Sequence, residues 1–496
     1  MSKKVIITGT GLGGLSTALR LTTDGYQVEM IEKYHQAGGR LNLLEKDGFK
    51  FDLAPTFFSM SYEFKELMEY CKMETPFEFL KLDPLYAVHF EGDKRNYLIY
   101  SDLKKLAAEF REVEPNLEVK LKKFLTQTGN LFHDTENIII KQNFNSLLHY
   151  ATQLMRVPLK HGPKMFYSMW TELSRHFTSF EVKVILSLVG FFLGSTPFKT
   201  PAVYTLLSYT ELVHDGYHNV KGGMYTIVRE LLKELEKRGV TIRYNTEIKE
   251  VESTDGKVSA LIDQHGNRYT ADLFVINADA ASFRGQVLKR EKFSEKRLDR
   301  MHWTMGPLTI YLGINGKVEN MYHHNYFLRR NFEEYSRKIF TNEIKMDKAY
   351  YYVNIPSMHN PEYAPPGKES IFILCPVPEL RYKPDWSDGD EIADGIIRDL
   401  GERTGIDFAG RTESRTVLTP VEWEKMFNLY KGSGLGLAHD LDQVGGMRPS
   451  NQDEELNNLF YVGASTTPGT GLPMVVISSR LVTERINKIY GSVHQK

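Results

Sequence analysis

Disulfide chemistry has almost no material to work with: the 496 residues include only Cys71 and Cys375, with no CxxC pair. A disulfide framework and a cysteine-based metal site are excluded, no metal is expected, and a reducing, cytoplasmic compartment fits. An excess of charge of one sign is also missing. Lys plus Arg total 62 against 63 for Asp plus Glu, so no global field draws the chain onto nucleic acid, and no such partner is expected. Nor is there a long hydrophobic run. The most apolar stretch outside the core candidates, Val184 to Gly194 (VILSLVGFFLG), has eleven residues: too few to span hydrocarbon, enough to line a cavity or dip into an interface. The start, MSKKVIITGTG, runs straight into a strand pattern, so no signal peptide is expected. What remains, 41% hydrophobic and 25% charged, is an ordinary globular chain long enough for two or three domains. Its 28 Phe and 27 Tyr lean toward a site for something large and apolar.

Lys4 to Thr8 (KVIIT) is a short apolar run of the kind buried on both faces in a parallel sheet. It enters Gly9-Thr10-Gly11-Leu12-Gly13-Gly14, after which Leu15, Ala18, Leu19 and Leu21 recur at helical spacing until Gly25. Gln27 to Glu32 (QVEMIE) reads as a second strand, ending in an acid 18 residues after Gly14. Strand, Gly-x-Gly-x-x-Gly, helix, strand and acid in this order form the dinucleotide fingerprint. Gly9 permits the tight turn, Gly11 removes the Cβ that would block a pyrophosphate, and Gly14 lets the helix pack on the sheet. The helix start offers free amides to phosphates, and Glu32 can accept the ribose hydroxyls. Gly38-Gly39-Arg40, taken alone, reads equally as a glycine turn with a solvent-facing arginine. Six residues after Glu32, it also offers a second backbone approach to the pyrophosphate, with Arg40 near the phosphates. Phe51 to Thr56 reads as a short strand leading into a proline-restricted turn.

Residues 60–200 lose this rhythm and show helical patterns instead. Asp102 to Glu114 would put Leu103, Leu106, Phe110 and Val113 on one face, and a second helix runs from Leu121 onward. After Gly222-Gly223-Met224-Tyr225, a stripe of Ile227, Val228, Leu231, Leu232 and Leu235 predicts a helix ended by Gly239, and Val240 to Tyr244 a strand. Ile248 to Ser253 and Lys257 to Asp263 flank Asp255-Gly256 as a hairpin. Leu273 to Asp279 reads as a buried strand ending in small and polar residues where a ligand could sit. Leu308 to Leu312, Ala349 to Ile355 and Ser370 to Pro376 are further strands. Leu459 to Val462 precedes an uncharged, glycine-rich loop, and Pro473 opens a last helix, a position where its missing N–H costs nothing. That helix start could stabilise negative charge on the edge of a bound ligand. His323 and His324, adjacent on an extended segment, should point to opposite faces and make no metal pair.

End to end, the chain resembles the carotenoid desaturases of the bacterial phytoene desaturase family, within the larger group that shares its flavin domain with amine oxidases. The resemblance is carried by VIITGTGLGGLSTALRLTTDGYQVEMIEK with AGGR, by GSTPFKTPAVYTLLSY and by GGMYTIVREL. It continues in YYVNIPSMHNPEYAPPGKESIFILCPVP and NLFYVGASTTPGTGLPMVVISSRL, of which APPGKE and GASTTPGTGLPM are the most particular to the family. It implies an α/β fold: a Rossmann-like FAD-binding domain, a mixed-sheet substrate domain and a helical, membrane-facing cap. The implied FAD-binding parts are residues 1–75, 216–290 and 436–496. The substrate domain would take residues 76–215, with the cap, and 291–435. Gly9, Gly11, Leu12, Gly13, Gly14, Glu32, Lys33, Gly39 and Arg40 would surround the adenosine and pyrophosphate, and Ile248 would lie near adenine. Gly463, Pro473, Met474 and Val475 would run along the ribityl chain and flavin ring. Relatives often carry Gly-Pro-Thr where this chain has Ala54-Pro55-Thr56, and Asp where it has Asn360.

The implied activity is desaturation of an acyclic carotenoid, phytoene-like or hydroxylated at one end, of C30 or C40 length, with hydride passing to non-covalently bound FAD. Isomerase or oxygenase action on a carotenoid, small-molecule amine oxidation, and a non-enzymatic prenyl-lipid escort role are the alternatives. Oxygen or a membrane quinone would take the electrons, with NAD as a diffusing acceptor left open. Positioning and the local field would carry catalysis, since no triad or metal cluster is present. Four side chains are offered as proton acceptor: His176, Glu211, His214 and Asp215. A substrate dissolved in the bilayer calls for peripheral membrane contact through an apolar patch in residues 140–200, rimmed by Lys160, Lys164 and Arg175.

Overall fold

The computed structural model describes residues 2–74, 77–144, 146–344 and 346–491, so the expected boundary between residues 75 and 76 lies outside the described residues. Lys4–Thr8 forms the centre of a five-stranded sheet in the order Leu459–Tyr461, Leu273–Ile276, Lys4–Thr8, Gln27–Ile31, Thr241–Arg243. Every pair in it is parallel. Parallel neighbours require crossovers, and three widely separated stretches of chain supply these strands, so the rest of the molecule is the excursion between them. Side chains alternate across the sheet. Val5, Ile7, Val28, Met30 and Val275 face the helices Leu12–Thr23, Thr226–Lys237 and Leu472–Tyr490. Ile6, Ile31, Phe274 and Ile276 face the hairpin Ile248–Thr254 and Lys257–Asp263. This is a Rossmann-like layer, as the sequence pattern predicts.

The second layer is a seven-stranded mixed sheet ordered Thr412–Leu418, Gly306–Asn315, Lys368–Val377, Tyr351–Asn354, His324–Leu328, Tyr86–Phe90, Tyr97–Ile99. Only His324–Leu328 and Tyr86–Phe90 pair in parallel within it. One face, with Ile310, Leu312, Ile371 and Ile373, packs on the helix Gly389–Thr404 through Ile396, Ile397 and Leu400. The other face carries rings, Tyr311, Tyr326, Tyr352 and Phe372, and looks toward a group of helices between residues 117 and 214.

Two helices begin or end away from their expected limits. Leu103–Glu109 stops short of Glu114, capped at its start by Asp102, whose carboxylate accepts the amides of Lys104 and Lys105. Glu114 is instead buried and accepts the amides of Thr178 and Ser179 at 2.8 and 2.6 Å, which pulls the chain out of helical register. The following helix starts at Leu117 rather than Leu121 and runs to Thr135. Val184 to Gly194 is wrapped inside the fold, with Leu188, Val189, Phe191 and Leu193 on a cavity wall. Among the described residues, no helix is long and apolar enough to cross a membrane.

Candidate functional site

A cavity of about 1100 Å³ lies between the two layers. It opens at the carboxyl ends of the parallel strands, where Thr8, Ile31, Asn277 and Val462 all line it, as ligand sites in such sheets do. Its volume exceeds the ~300–1,000 Å³ of ordinary small-molecule pockets, so it has room for a dinucleotide and a second ligand together.

One end is built from backbone. A Cβ on Gly11, Gly13 or Gly463 would come within 2.8, 2.9 and 2.7 Å of the Asn277 side-chain amide, so three segments converge on that residue and a larger side chain at any of them would displace the amide. Gly14 does not line the cavity. A Cβ there would press into the Gly9 carbonyl oxygen, so its role is the helix–strand contact. The helices Leu12–Thr23 and Leu472–Tyr490 both start without a side-chain cap and without an acid in the first turn. Leu12 and Gly13 from the first, and Leu472, Pro473, Met474 and Val475 from the second, face the cavity. Two sets of unpaired amides and two positive dipole ends therefore point into one space. Glu32 is buried, its Oε2 accepting the amide and hydroxyl of Thr10 at 2.8 and 2.6 Å and its Oε1 the Tyr34 amide at 3.0 Å. Lys33 donates to Asn428 Oδ1 at 2.8 Å, and Ile248 lies on the same wall between Glu247 and Lys249. Gly39 lines the cavity beside Gly11. Arg40 reaches across to donate to the Gly434 carbonyl at 2.9 Å; burial pulls its pKa down while Asp279 holds it up.

The other end is built from side chains. Phe57, Leu131, Phe132, Leu206, Leu207 and the rings of Tyr326, Tyr352 and Phe372 wall it. The Ala54-Pro55-Thr56 turn also lines the cavity, and Thr56 shares a 2.9 Å hydrogen bond with the Tyr352 hydroxyl. Asn360 lies away from the cavity, its side-chain oxygen accepting the Gly222 amide at 2.8 Å.

Of the four candidate proton acceptors, only Glu211 reaches the cavity. His214 stacks on Tyr209, Asp215 accepts the amide and hydroxyl of Ser61 at 2.6 and 2.9 Å, and His176 lies 3.5 Å from Glu172. Glu211 is 4% exposed and accepts the Tyr86 hydroxyl at 2.6 Å. Burial pushes its pKa up to about 7, against the pull of the Tyr86 and Tyr217 phenols.

His323 and His324 do not point apart as expected. The strand begins only at His324, so the preceding residue is free to turn, and the two rings lie 4.3 Å centre to centre, with His359 stacked on His323. Neither ring lines the cavity. The one trio close enough to share a metal ion among the described residues is His302, Asp440 and Asp442, largely at the surface.

Of three further contributors, Asp279 ends the run that the sequence marks as a ligand-facing strand end, and His439 and Arg448 have no signal in the sequence. Asp279 lines the cavity, accepts the Ser465 hydroxyl at 2.9 Å and has its pKa raised by burial. His439 bonds the Leu193 carbonyl through Nδ1 at 3.3 Å and accepts the Thr470 amide through Nε2 at 3.2 Å, so it links the helical region to the loop before Leu472. The buried Arg448 donates to carbonyls of Leu437, Ala438, Gln443, Ala464 and Thr466, tying two cavity loops together. The strand end from Asn277 to Asp279, which the sequence marks, lines the cavity throughout.

At the apolar end, Leu159 lines the cavity mouth while 91% exposed, and Leu148, Met155 and Phe166 are also well exposed. The expected basic rim is thinner than predicted. Lys160 and Arg175 are exposed, but Lys164 is drawn in to pair with the buried Glu172.

Residues 12–487 match the family model for flavin containing amine oxidoreductases. The chain is 32% identical to the zeta-carotene-forming phytoene desaturase of Myxococcus xanthus, over 98% of this chain and 94% of that one. It is also 32% identical to a phytoene desaturase of Phycomyces blakesleeanus, over 99% and 86% of the two chains. Among solved structures, an oxidoreductase from Methanosarcina mazei superposes with a TM-score of 0.63 at 16% identity, over 97% of this chain and all of that one, a likeness of fold.

Proposed function

The chain belongs to the FAD-dependent amine oxidase and phytoene desaturase superfamily and is a flavin-dependent oxidoreductase by that membership, and from this premise we propose that it desaturates a long acyclic carotenoid. The observation that carries the reading is the joining of two unlike halves in one cavity: a backbone cradle with two uncapped helix starts, continuous with a channel of rings and aliphatic side chains.

The cradle fits FAD. The glycines leave the backbone bare where a pyrophosphate must approach, and the Leu12 helix start offers amides to it. In this reading Gly9, Gly11, Leu12 and Gly13 hold the pyrophosphate, with Gly39 and Arg40 opposite. Glu32, Lys33 and Ile248 hold the adenosine, and Gly463, Pro473, Met474 and Val475 hold the ring end. Gly14 serves by packing. When bound, FAD supplies the capacity to take two electrons and a hydrogen from carbon as hydride. The protein's share is to exclude water, to hold a rod-shaped substrate by burial worth ~0.8 kcal/mol per methylene, and to stabilise negative charge near Pro473 with the helix amides. Oxygen or a membrane quinone is the proposed final acceptor. Leu148, Met155, Leu159 and Phe166 are the proposed points of peripheral membrane contact, which would let a bilayer-dissolved substrate enter beside Leu159.

Purified protein mixed without oxygen with liposomes carrying a panel of acyclic carotenes tests the reading. It should carry a yellow flavin that bleaches as products absorbing at longer wavelength form. Protein without flavin, or flavin reduced by amines and by no carotene, would overturn it.

A further inference from the structure

Glu211 is an anomaly of placement. The channel around it is apolar and aromatic, yet a carboxyl group stands in its wall, 4% exposed. Nothing in the packing calls for it, since an ionisable side chain removed from water without a cation costs free energy. The groups that act on it are two phenols from different segments, Tyr86 on the mixed sheet and Tyr217, while its own charge raises the pKa of Tyr326 on the neighbouring strand. No cation acts on it among the described residues. It is carried by Thr210–His214, a widened helical turn of the kind often found where a fold re-aims a side chain toward a site.

Other titratable groups along the cavity are committed elsewhere. Glu32 and Lys33 are bonded at the cradle end. Asp279 is held by Ser465 and the Ala281 amide. His439 has both ring nitrogens engaged, and burial beside Arg448 pushes its pKa down to about 3, so it takes up no proton near neutrality. His161, at the mouth, pairs with Asp134 at 2.8 Å. On the channel side, Glu211 is the carboxyl left facing the substrate space. It also stands beside the aromatic wall: Phe57, which lines the same cavity, packs its ring 6.4 Å from that of Tyr86, the donor to Glu211.

We propose that Glu211 is the catalytic base of the desaturation, taking the proton that leaves the substrate carbon next to the one that loses hydride. The assignment rests on the desaturase reading above. In the step, one C–H bond breaks with its electron pair leaving as hydride, which reduces the bound flavin by two electrons. The adjacent C–H bond breaks the other way: its hydrogen passes as a proton to a Glu211 carboxylate oxygen, and its electron pair becomes the new C=C. Glu211 ends as a neutral acid and returns to carboxylate by losing that proton to water before the next turnover. The Tyr86 and Tyr217 phenols favour the carboxylate and the dry wall favours the acid, which poises the group near neutral pH as a general base requires.

The test is anaerobic single-turnover reduction of the holoenzyme's flavin by a carotene, across pH, in the wild type, E211Q and the double variant Y86F/Y217F. Substrate affinity is read separately from quenching of flavin fluorescence. The wild-type rate should rise with pH and level off above about 7. E211Q should be ~10²–10⁴-fold slower and flat with pH, with affinity within about twofold. Y86F/Y217F should keep the rise but move its midpoint to higher pH, a shift that a purely structural role for Glu211 would not produce. Infrared difference spectra of flavin-free protein should show a carboxyl band titrating near the same pH and missing from E211Q. Equal rates in E211Q and wild type, or an unmoved midpoint in the phenol variant, would overturn the assignment. So would an E211Q effect confined to the affinity for hydroxylated substrates, which would make Glu211 an anchor instead. Wild-type flavin that no carotene reduces would overturn the desaturase reading and the assignment with it, an outcome distinct from two proteins reacting alike.

Discussion

At the cradle end of the cavity the backbone sets the shape, through glycines that cannot accept a Cβ and helix starts left uncapped. At the channel end side chains set it, gathered from the turn at Ala54, the helices between Leu117 and His214 and the ring-bearing face of the mixed sheet. Backbone geometry admits few sequences, whereas an apolar wall admits many of similar volume. The two ends should therefore answer mutation very differently.

The largest contrast comes from Gly14→Ala. One added methyl group meets the Gly9 carbonyl, a backbone atom that cannot move aside, so a loss on the order of 4 kcal/mol and failure to retain flavin are expected. Calorimetry and the flavin-to-protein absorbance ratio check it; a variant that stays yellow with an unchanged Tm would break the comparison. Next is Glu211→Gln, read as stability against pH. The folded pKa of about 7 lies above the ordinary 4.5, so Glu211's stabilising share is full below about 4.5 and fades as pH rises through about 7. Up to roughly 3 kcal/mol is at stake, and the variant should lose less stability than the wild type between pH 5 and pH 8 in urea titrations. Leu207→Ala removes wall from the channel without touching the cradle. It should weaken carotene affinity by about tenfold, near 1.4 kcal/mol, with flavin content unchanged, measured by fluorescence quenching. Least costly to the fold is Phe166→Glu, on a side chain 88% exposed. Stability should change by no more than ~0.5 kcal/mol, while flotation with liposomes falls.

The same contrast explains what the sequence reveals. Gly9, Gly11, Gly13, Glu32 and the strands around them are legible because a local spacing of a few residues enforces them, and the helix start at Pro473 is legible for the same reason. The channel is not, because a leucine that lines a cavity and one that fills a core look alike in a sequence; Val184 to Gly194 does both. His439 shows the limit most sharply, since its two partners, Leu193 and Thr470, lie 246 and 31 residues away along the chain. The His323–His324 geometry fails for a smaller reason: the strand starts one residue later than an extended reading assumes.

The order of strands in the parallel sheet also sets a timetable. The edge strand Leu459–Tyr461 and the helix Leu472–Tyr490 complete a half-formed socket begun by Lys4–Thr8. During synthesis, the first glycine turn waits, unsheltered, until residue 490 has left the ribosome. The cavity can then close only late, and any change that misplaces residues 459–490 leaves the opening turn without its cover.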